Sequence, residues 1–205
     1  MKPMNISISR SCNVVAIMLF AVGSVFASEQ KAVFAGGCFW GVEAVFEHVK
    51  GVVDVRSGYA GDSKDSANYD DVSSGATRHA ESVEIRFDPA KVTYEQLLYI
   101  FFAVAHDPTE VNRQGPDIGT QYRSVIFYTD QNQKKAAEAF ILAITKSKAF
   151  DKPIATQVVP LTEFLAAEEH HQNYLKNHPD DRYIVVNDLP KLEALKQKFP
   201  ELYRK

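Results

Sequence analysis

The chain has 205 residues, of which 45% are hydrophobic and 24% are charged, a composition typical of a globular domain with its own core. This balance excludes a disordered chain and a collagen-like repeat, and 2 cysteines are too few for a small scaffold held together by disulfides. The net charge of −3 argues against a nucleic acid as partner.

Residues 1–27 have the pattern of a secretory signal peptide. Lys2 and Arg10 are basic, residues 14–22 form an uninterrupted apolar run, and residues 25–27 provide a small-residue cleavage site. The apolar run is too short to cross a bilayer, although an uncleaved anchor is an open alternative. We therefore expect export across the inner membrane to the periplasm, and a mature chain of residues 28–205 with a net charge of −5.

Removal of the signal would also remove Cys12 and leave Cys38 as the one cysteine of the mature chain. A single cysteine cannot form an intramolecular disulfide, and in many proteins it is simply a small buried hydrophobic residue. Its role therefore depends on its neighbours. Because no repeat or linker interrupts residues 28–205, we predict that they form one domain.

Strands and helices alternate in the first half of this domain. The apolar spacing predicts, in order, a strand at 31–35, a helix at 38–51, a strand beginning near 53, a polar loop at 61–79, a strand through 83–87 and a helix from 93 to about 106. Thr93 and Gln96 have the spacing of a capping box at the start of the last helix.

The second half continues the alternation. We predict a long polar loop at 106–121, a strand at 122–128, a helix from 130 to about 148, a strand at 156–159, a helix from Thr162 that carries His171, and a packed helix within 186–205. The loop is long enough to suggest a function. The mixture of elements predicts an α+β fold, a two-layer α/β sandwich with a mixed sheet, of the ferredoxin-like type.

Cys38 lies where the first strand gives way, through two glycines, to the start of a helix. The free backbone N–H groups and the positive end of the helix dipole are expected to favour a thiolate there. Phe39 and Trp40 would form an aromatic wall beside the sulfur, and Gly37 would let the backbone approach a ligand closely. This setting indicates a nucleophile rather than a buried hydrophobic residue.

Glu81 is a candidate proton donor. It shares the alternating pattern of Val83, Ile85 and Phe87, so its side chain is expected to project towards the apolar side of the sheet. Burial would raise the pKa of this carboxyl group and keep it protonated near neutral pH. A structural ion pair with an arginine is the alternative interpretation.

Several motifs follow one another between residues 31 and 185. They are GCFWG at 37–41, GYAG at 58–61, Tyr69 with Val72, HAE at 79–81, HDPT at 106–109, NRQG at 112–115, DIGTQYRS at 117–124, and AE at 167–168 with His171, Gln172, Tyr174 and Leu175. In this order they closely resemble the peptide methionine sulfoxide reductase A family. Because each motif alone is weak, the resemblance depends on the ordered combination.

The resemblance implies the thiol-dependent reduction of methionine-S-sulfoxide to methionine, in proteins and as the free amino acid, as a repair of oxidative damage. Cys38 would attack the sulfoxide sulfur and become a sulfenic acid, while Glu81 would donate a proton. The resemblance assigns contacts with the sulfoxide oxygen or an active-site water to Tyr69, Asp117 and Tyr122. It assigns the pocket for the S-methyl group to Phe39 and Trp40, with Gly37 beside them.

The sequence departs from many members of this family because residues 186–205 contain no resolving cysteine. We therefore expect an external reductant, a thioredoxin-like protein or a small thiol such as glutathione, to act on Cys38 directly. The 6 histidines show no zinc-binding spacing, and His171 has the pattern of a hydrogen-bonded core residue. We predict no metal, no organic cofactor and a monomer.

Two other functional classes are open from the sequence. A cysteine hydrolase would use Cys38 on an acyl carbon, with His79, His106 or His171 as the base. A secreted adaptor without enzymatic activity would bind partners through Trp40 and nearby tyrosines. The hydrolase requires a thiolate–imidazole pair, and the adaptor does not require Cys38.

Overall fold

The computed structural model describes residues 28–205, so the predicted signal peptide at residues 1–27 lies outside the described residues. The strands are β1 (Gln30–Ala35), β2 (Val52–Ala60), β3 (Ala80–Phe87), β4 (Arg113–Gln114), β5 (Asp117–Ile118), β6 (Val125–Tyr128), β7 (Gln157–Pro160) and β8 (Phe164–Ala166). The α-helices are α1 (Phe39–Glu47), α2 (Tyr69–Ser73), α3 (Tyr94–Ile100), α4 (Gln131–Lys146), α5 (Tyr174–Asn177) and α6 (Leu189–Lys198).

A mixed sheet organises the domain, in the order β7-β6-β1-β3-β2-β8. All neighbouring strands are antiparallel except β6 and β7, which are parallel. In β1, Ala32 and Phe34 point into the larger hydrophobic cluster, while Val33 and Ala35 point into a smaller one on the opposite face. Helices α1, α3 and α6 contribute to the larger cluster. The predicted α+β class and mixed sheet are confirmed.

Two predicted helix starts are confirmed, and both have a capping side chain. Thr93 and Gln96 form the reciprocal capping box at the start of α3. Asp130 accepts hydrogen bonds from the backbone N–H groups of Asn132 and Gln133 at the start of α4. Helix α4 ends at Lys146, slightly before the predicted end.

The predicted helix from Thr162 is wrong. Residues 164–166 form strand β8, which pairs with Gly58–Ala60 of β2, and the next α-helix is the short α5 at residues 174–177. An ideal Cβ at Gly58 would lie 2.4 Å from the carbonyl oxygen of Leu165, so the glycine permits the two strands to approach. The apolar spacing of residues 162–174 is that of a helix. Residues 164–166 form a strand instead because their backbone groups can hydrogen-bond to the edge of β2.

The predicted strand at 122–128 begins later, at Val125, because Thr120–Tyr122 forms a 3-10 turn. The loop that precedes it contains the small hairpin of β4 and β5. The C-terminal segment packs on the domain as predicted, and a π-helical turn, Ile184–Asp188, leads into α6. Within residues 28–205, no helix is both long enough and apolar enough to cross a membrane.

Candidate active site

Cys38 is the N-cap residue of α1 and is 9% exposed. Gly37 precedes it with a φ of +96°, and an ideal Cβ there would lie 2.7 Å from Cβ of Gln114. The side-chain amide of Gln114 is held in turn by the backbone of Asp107, through hydrogen bonds of 3.0 and 2.6 Å. Gly37 therefore allows the loop after α3 to pack directly against the cysteine turn.

The start of the helix favours a thiolate as expected, but burial has the larger effect on Cys38. Burial raises the pKa of Cys38 well above its usual value, and the carboxylates of Glu81 and Asp188 raise it further. A hydrogen bond from the backbone of Trp40 and the charge of Lys191 lower it, but they do not compensate. Burial outweighs the helix dipole because the sulfur is almost completely withdrawn from water.

Glu81 lies against the same helix start. Its Oε2 accepts a hydrogen bond of 3.0 Å from the backbone N–H of Phe39, and the residue is 2% exposed. Burial raises the pKa of its carboxyl group to about 8, so the protonated form predominates at neutral pH. Within residues 28–205 no arginine forms an ion pair with Glu81, which removes the support for a structural ion pair.

Three polar residues predicted for the site come from separate elements and meet near Glu81. Tyr69 begins α2, Tyr122 ends the 3-10 turn, and Asp117 begins β5. Burial raises the pKa of both tyrosines, and the charges of Glu81, Cys38 and Asp117 raise it further. This electrostatic influence indicates that the five predicted catalytic residues lie within range of one another's charges.

The two aromatic residues after the cysteine occupy different environments. Phe39 is only 1% exposed and its ring centroid lies 5.2 Å from that of His171. Trp40 is half-buried, stacks on Tyr174 at a centroid distance of 3.7 Å, and donates its indole N–H to Nδ1 of His171 over 3.2 Å. Phe39 and Trp40 therefore belong to one aromatic group with His171 and Tyr174, and their place beside the sulfur stays a prediction. His171 is buried and hydrogen-bonded, as predicted.

Two further residues support the cluster and were missed at the level of sequence. Glu168 accepts hydrogen bonds from the Tyr59 hydroxyl at 2.8 Å and from the Tyr69 backbone N–H at 2.9 Å, and so fixes the start of α2. The Tyr183 hydroxyl donates a short hydrogen bond to Asp117. Glu168 belongs to the AE motif at 167–168, but nothing in the neighbouring sequence predicts its hydrogen bonds. Tyr183 lies outside the motifs.

A cleft of about 390 Å³ reaches Cys38. Its walls come from the loop after α3, from β5 and from the segment around α6: Cys38, Val104, His106, Asp107, Glu110, Gln114, Gly115, Pro116, Asp117, Tyr183, Asn187 and Lys191. This volume is within the range of sites for small molecules and single side chains. Residues 28–205 contain no group of three His, Cys, Asp or Glu side chains placed to hold a metal ion.

The three histidines proposed as a hydrolase base have other partners. Both ring nitrogens of His106 are within hydrogen-bond distance of protein atoms, Nδ1 at 3.0 Å from the Phe101 carbonyl and Nε2 at 2.7 Å from Oγ of Ser124, and burial lowers its pKa to about 4. Nε2 of His79 lies 2.9 Å from the Ser63 carbonyl. In the described part of the chain none of them is hydrogen-bonded to Cys38, so the thiolate–imidazole pair of a hydrolase is not formed.

Comparisons with known proteins agree with the site. The sequence profile of the peptide methionine sulfoxide reductase family matches residues 30–203. Peptide methionine sulfoxide reductase MsrA 2 of Synechocystis sp. is 54% identical over 172 residues, which cover 84% of this chain and 80% of that protein. The protein of the same name from Mesorhizobium japonicum is 54% identical over 174 residues, covering 85% and 89%.

Solved structures give the same result. Mxr1 from Saccharomyces cerevisiae in reduced form superposes with a TM-score of 0.68 at 33% identity, covering 75% of this chain and 88% of that one. Methionine sulfoxide reductase A of Corynebacterium diphtheriae superposes with a TM-score of 0.65 at 34% identity, covering 74% and 76%. The chain therefore belongs to the peptide methionine sulfoxide reductase A family, and the resemblance drawn from its motifs is confirmed.

Proposed function

We propose that this protein reduces methionine-S-sulfoxide to methionine, in proteins and as the free amino acid, with a thiol as electron donor. The observation that carries the proposal is that a cysteine and a protonated carboxyl group meet at one helix start, where Glu81 accepts the N–H of the residue after Cys38. Sulfoxide reduction needs both a soft nucleophile and a proton donor. Membership of the family supports the same reaction.

In the first half of the reaction, the sulfur of Cys38 attacks the sulfoxide sulfur and the S–O bond of the substrate breaks. The S–S bond formed in the attack also breaks as the oxygen passes to the cysteine sulfur. The sulfoxide sulfur thus gains two electrons and leaves as the thioether of methionine, while the cysteine sulfur is oxidised to a sulfenic acid. Glu81 lends a proton to the oxygen as negative charge develops there. The thiol proton of Cys38 passes to Glu81 in its place, so the sulfenic acid carries one proton, Glu81 is protonated again and no net proton is consumed.

Polar groups around Glu81 would stabilise the oxygen during this transfer. Tyr69 and Tyr122 remain protonated because burial and neighbouring carboxylates raise the pKa of each, so each can donate a hydrogen bond. Asp117 is oriented by Tyr183 and can accept a hydrogen bond from a water or hydroxyl group. Trp40 offers an aromatic face to the S-methyl group, a favourable contact for sulfur and methyl groups.

The second half of the reaction requires an external thiol. Cys38 is the free cysteine of the described residues. An incoming thiolate attacks the sulfenic sulfur, water leaves and a mixed disulfide forms; a second thiol then releases Cys38 and carries away the disulfide. A thioredoxin-like protein supplies both thiols from one molecule, whereas glutathione supplies them from two.

The proton-donor role can be tested by Glu81→Gln, which keeps the shape but removes the acid. Oxygen transfer in a single turnover with methionine sulfoxide should slow by roughly 10²- to 10⁴-fold, with little change in substrate affinity. Glu84→Gln is the matched control, since Glu84 lies on the same strand and forms an ion pair with Lys31. An unchanged rate in Glu81→Gln would remove Glu81 as the acid.

Three finer features are also proposals. The antiparallel order β6-β1-β3-β2, with α1 and α3 as connections, supports a ferredoxin-like assignment of the central sheet.

The signal pattern of residues 1–27 supports export to the periplasm, which cell fractionation would test. We propose a monomer, which light scattering of the purified protein would test, a dimer being the contrary result.

A further inference from the structure

A partly buried ion pair between Lys191 and Asp188 lies against Gly41, in the first turn of α1. Nζ of Lys191 is 3.1 Å from Oδ1 of Asp188, whose side chain is completely buried. The other carboxylate oxygen of Asp188 is also buried and has no hydrogen-bond partner in the described structure. The Lys191 side chain is 24% exposed and lines the same cleft as Cys38. The pair therefore connects the protein interior with the wall of the site.

Gly41 shows how closely this pair approaches the helix that begins at Cys38. An ideal Cβ at Gly41 would lie 2.0 Å from Oδ1 of Asp188 and 2.7 Å from Nζ of Lys191. No larger residue fits there unless the pair moves. The π-helical turn that ends at Asp188, a rare conformation often found at functional sites, presents the carboxylate at this position. The ion pair thus explains why the last residue of the GCFWG motif, Gly41, has no side chain.

The charges that face Cys38 are otherwise negative or neutral. Asp107, Glu110 and Asp117 line the same cleft, from the loop after α3 and from β5, Asp188 acts on Cys38 from the π-helical turn, and Glu81 on β3 is protonated at neutral pH. The tyrosines of the cluster, Tyr69, Tyr122 and Tyr183, stay uncharged, and burial keeps His106 neutral. Among the described residues that line the cleft, Lys191 is the one cation.

We propose that Lys191, held in place by Asp188, is a positioning residue that stabilises the thiolate of Cys38 in this otherwise acidic cleft. An ammonium group on the cleft wall offsets part of the energy needed to form an anionic sulfur among carboxylates. The effect of Lys191 on the rate of sulfoxide reduction rests on the proposed function, whereas its effect on the ionisation of the Cys38 thiol does not. Asp188 has the opposite electrostatic effect on the sulfur, since its own charge is negative.

The two members of the pair therefore make opposite predictions. In the full chain, the rate of Cys38 alkylation by iodoacetamide is measured against pH. Lys191→Met should shift the profile upwards by about one pH unit, so that alkylation at neutral pH slows by roughly tenfold. Asp188→Asn, which keeps the shape and leaves the ammonium group, should shift it downwards. Lys191→Arg should restore the wild-type profile because it keeps the charge.

Lys196→Met is the matched control, since Lys196 is on the same helix, is 58% exposed and pairs with Glu193. It should leave the profile unchanged. If Lys191→Met does not fold, the double variant Asp188→Asn/Lys191→Met removes both charges. Its alkylation profile should lie at higher pH than that of Asp188→Asn. Shifts in the same direction for both single variants, or a Lys191→Met profile equal to that of Lys196→Met, would overturn the proposal.

A second readout separates this proposal from the proposed function. In a single turnover with methionine sulfoxide, oxygen transfer by Lys191→Met should be roughly tenfold slower than that of the wild type at neutral pH, and the ratio of the two rates should approach one as the pH rises towards the pKa of Cys38. A wild-type protein that releases no methionine would contradict the proposed function while the alkylation profiles still decide the role of Lys191. A loss of rate in Lys191→Met that is the same at every pH would contradict the electrostatic role.

Discussion

Replacing Glu81 by glutamine should stabilise the protein at neutral pH even as it removes the proposed proton donor. The carboxyl group is 2% exposed, and burial raises its pKa from 4.5 to about 8. Between these two values the unfolded chain releases the proton while the folded chain keeps it. The free energy of unfolding therefore falls by about 1.4 kcal/mol per pH unit because of this one group.

The sign follows from the direction of the pKa shift. Below the ordinary pKa of glutamate both states are protonated and the group has no effect on stability. As the pH rises towards 8, an ionised carboxylate becomes favourable only in the unfolded chain, so the wild-type protein loses stability. From pH 5.5 to pH 7.5 this loss should be about 2.5 kcal/mol, and Glu81→Gln should not suffer it.

Urea denaturation of both proteins at these two pH values measures the effect. Other buried groups, such as Glu43, whose pKa is also raised, to about 7, contribute equally to both proteins and cancel in the difference. Glu163→Gln, at an exposed position, is the control and should follow the wild type at both pH values. If the free energy of unfolding of Glu81→Gln changes with pH in parallel with the wild type, Glu81 is not protonated in the folded protein and the reasoning fails.

Three further substitutions test the packing of the site. Gly41→Ala should displace the carboxylate of Asp188, which lies 2.0 Å from the new Cβ, and cost about 1–3 kcal/mol of stability in urea denaturation; wild-type stability would contradict the close approach. Tyr183→Phe removes the hydrogen bond that lowers the pKa of Asp117, so carboxyl NMR titration should show a higher pKa, and an unchanged value would refute the contact. Phe199→Ala should cost about 3–5 kcal/mol because the ring is buried in the core beside α6, and a loss below about 1 kcal/mol would contradict that burial.

The predictions that succeeded depended on short-range patterns. Glu81 is buried, like Val83, Ile85 and Phe87, whose alternating pattern it shares, and the capping residue Thr93 has its partner three residues away. The position of Cys38 at a helix start follows from the two glycines before it. In each case the local chain contains the physical signal.

The predictions that failed depended on contacts between distant parts of the chain. Residues 164–166 are a strand because β2, a hundred residues earlier, has a free edge beside Gly58. The pKa of Cys38 is raised because burial removes its sulfur from water, and Glu81 and Asp188, from separate elements, raise it further. No periodicity in the sequence reveals that Asp188 reaches Gly41, since a π-helical turn sets its direction.

The most direct test of the central claim is a single turnover of the protein with methionine sulfoxide in the absence of any thiol. One methionine should be released per protein molecule, and peptide mass analysis should find one added oxygen on Cys38, trapped by a sulfenic-acid reagent. Cys38→Ser should release none. Continued release of methionine without thiol, or an oxygen found on no cysteine, would contradict the account.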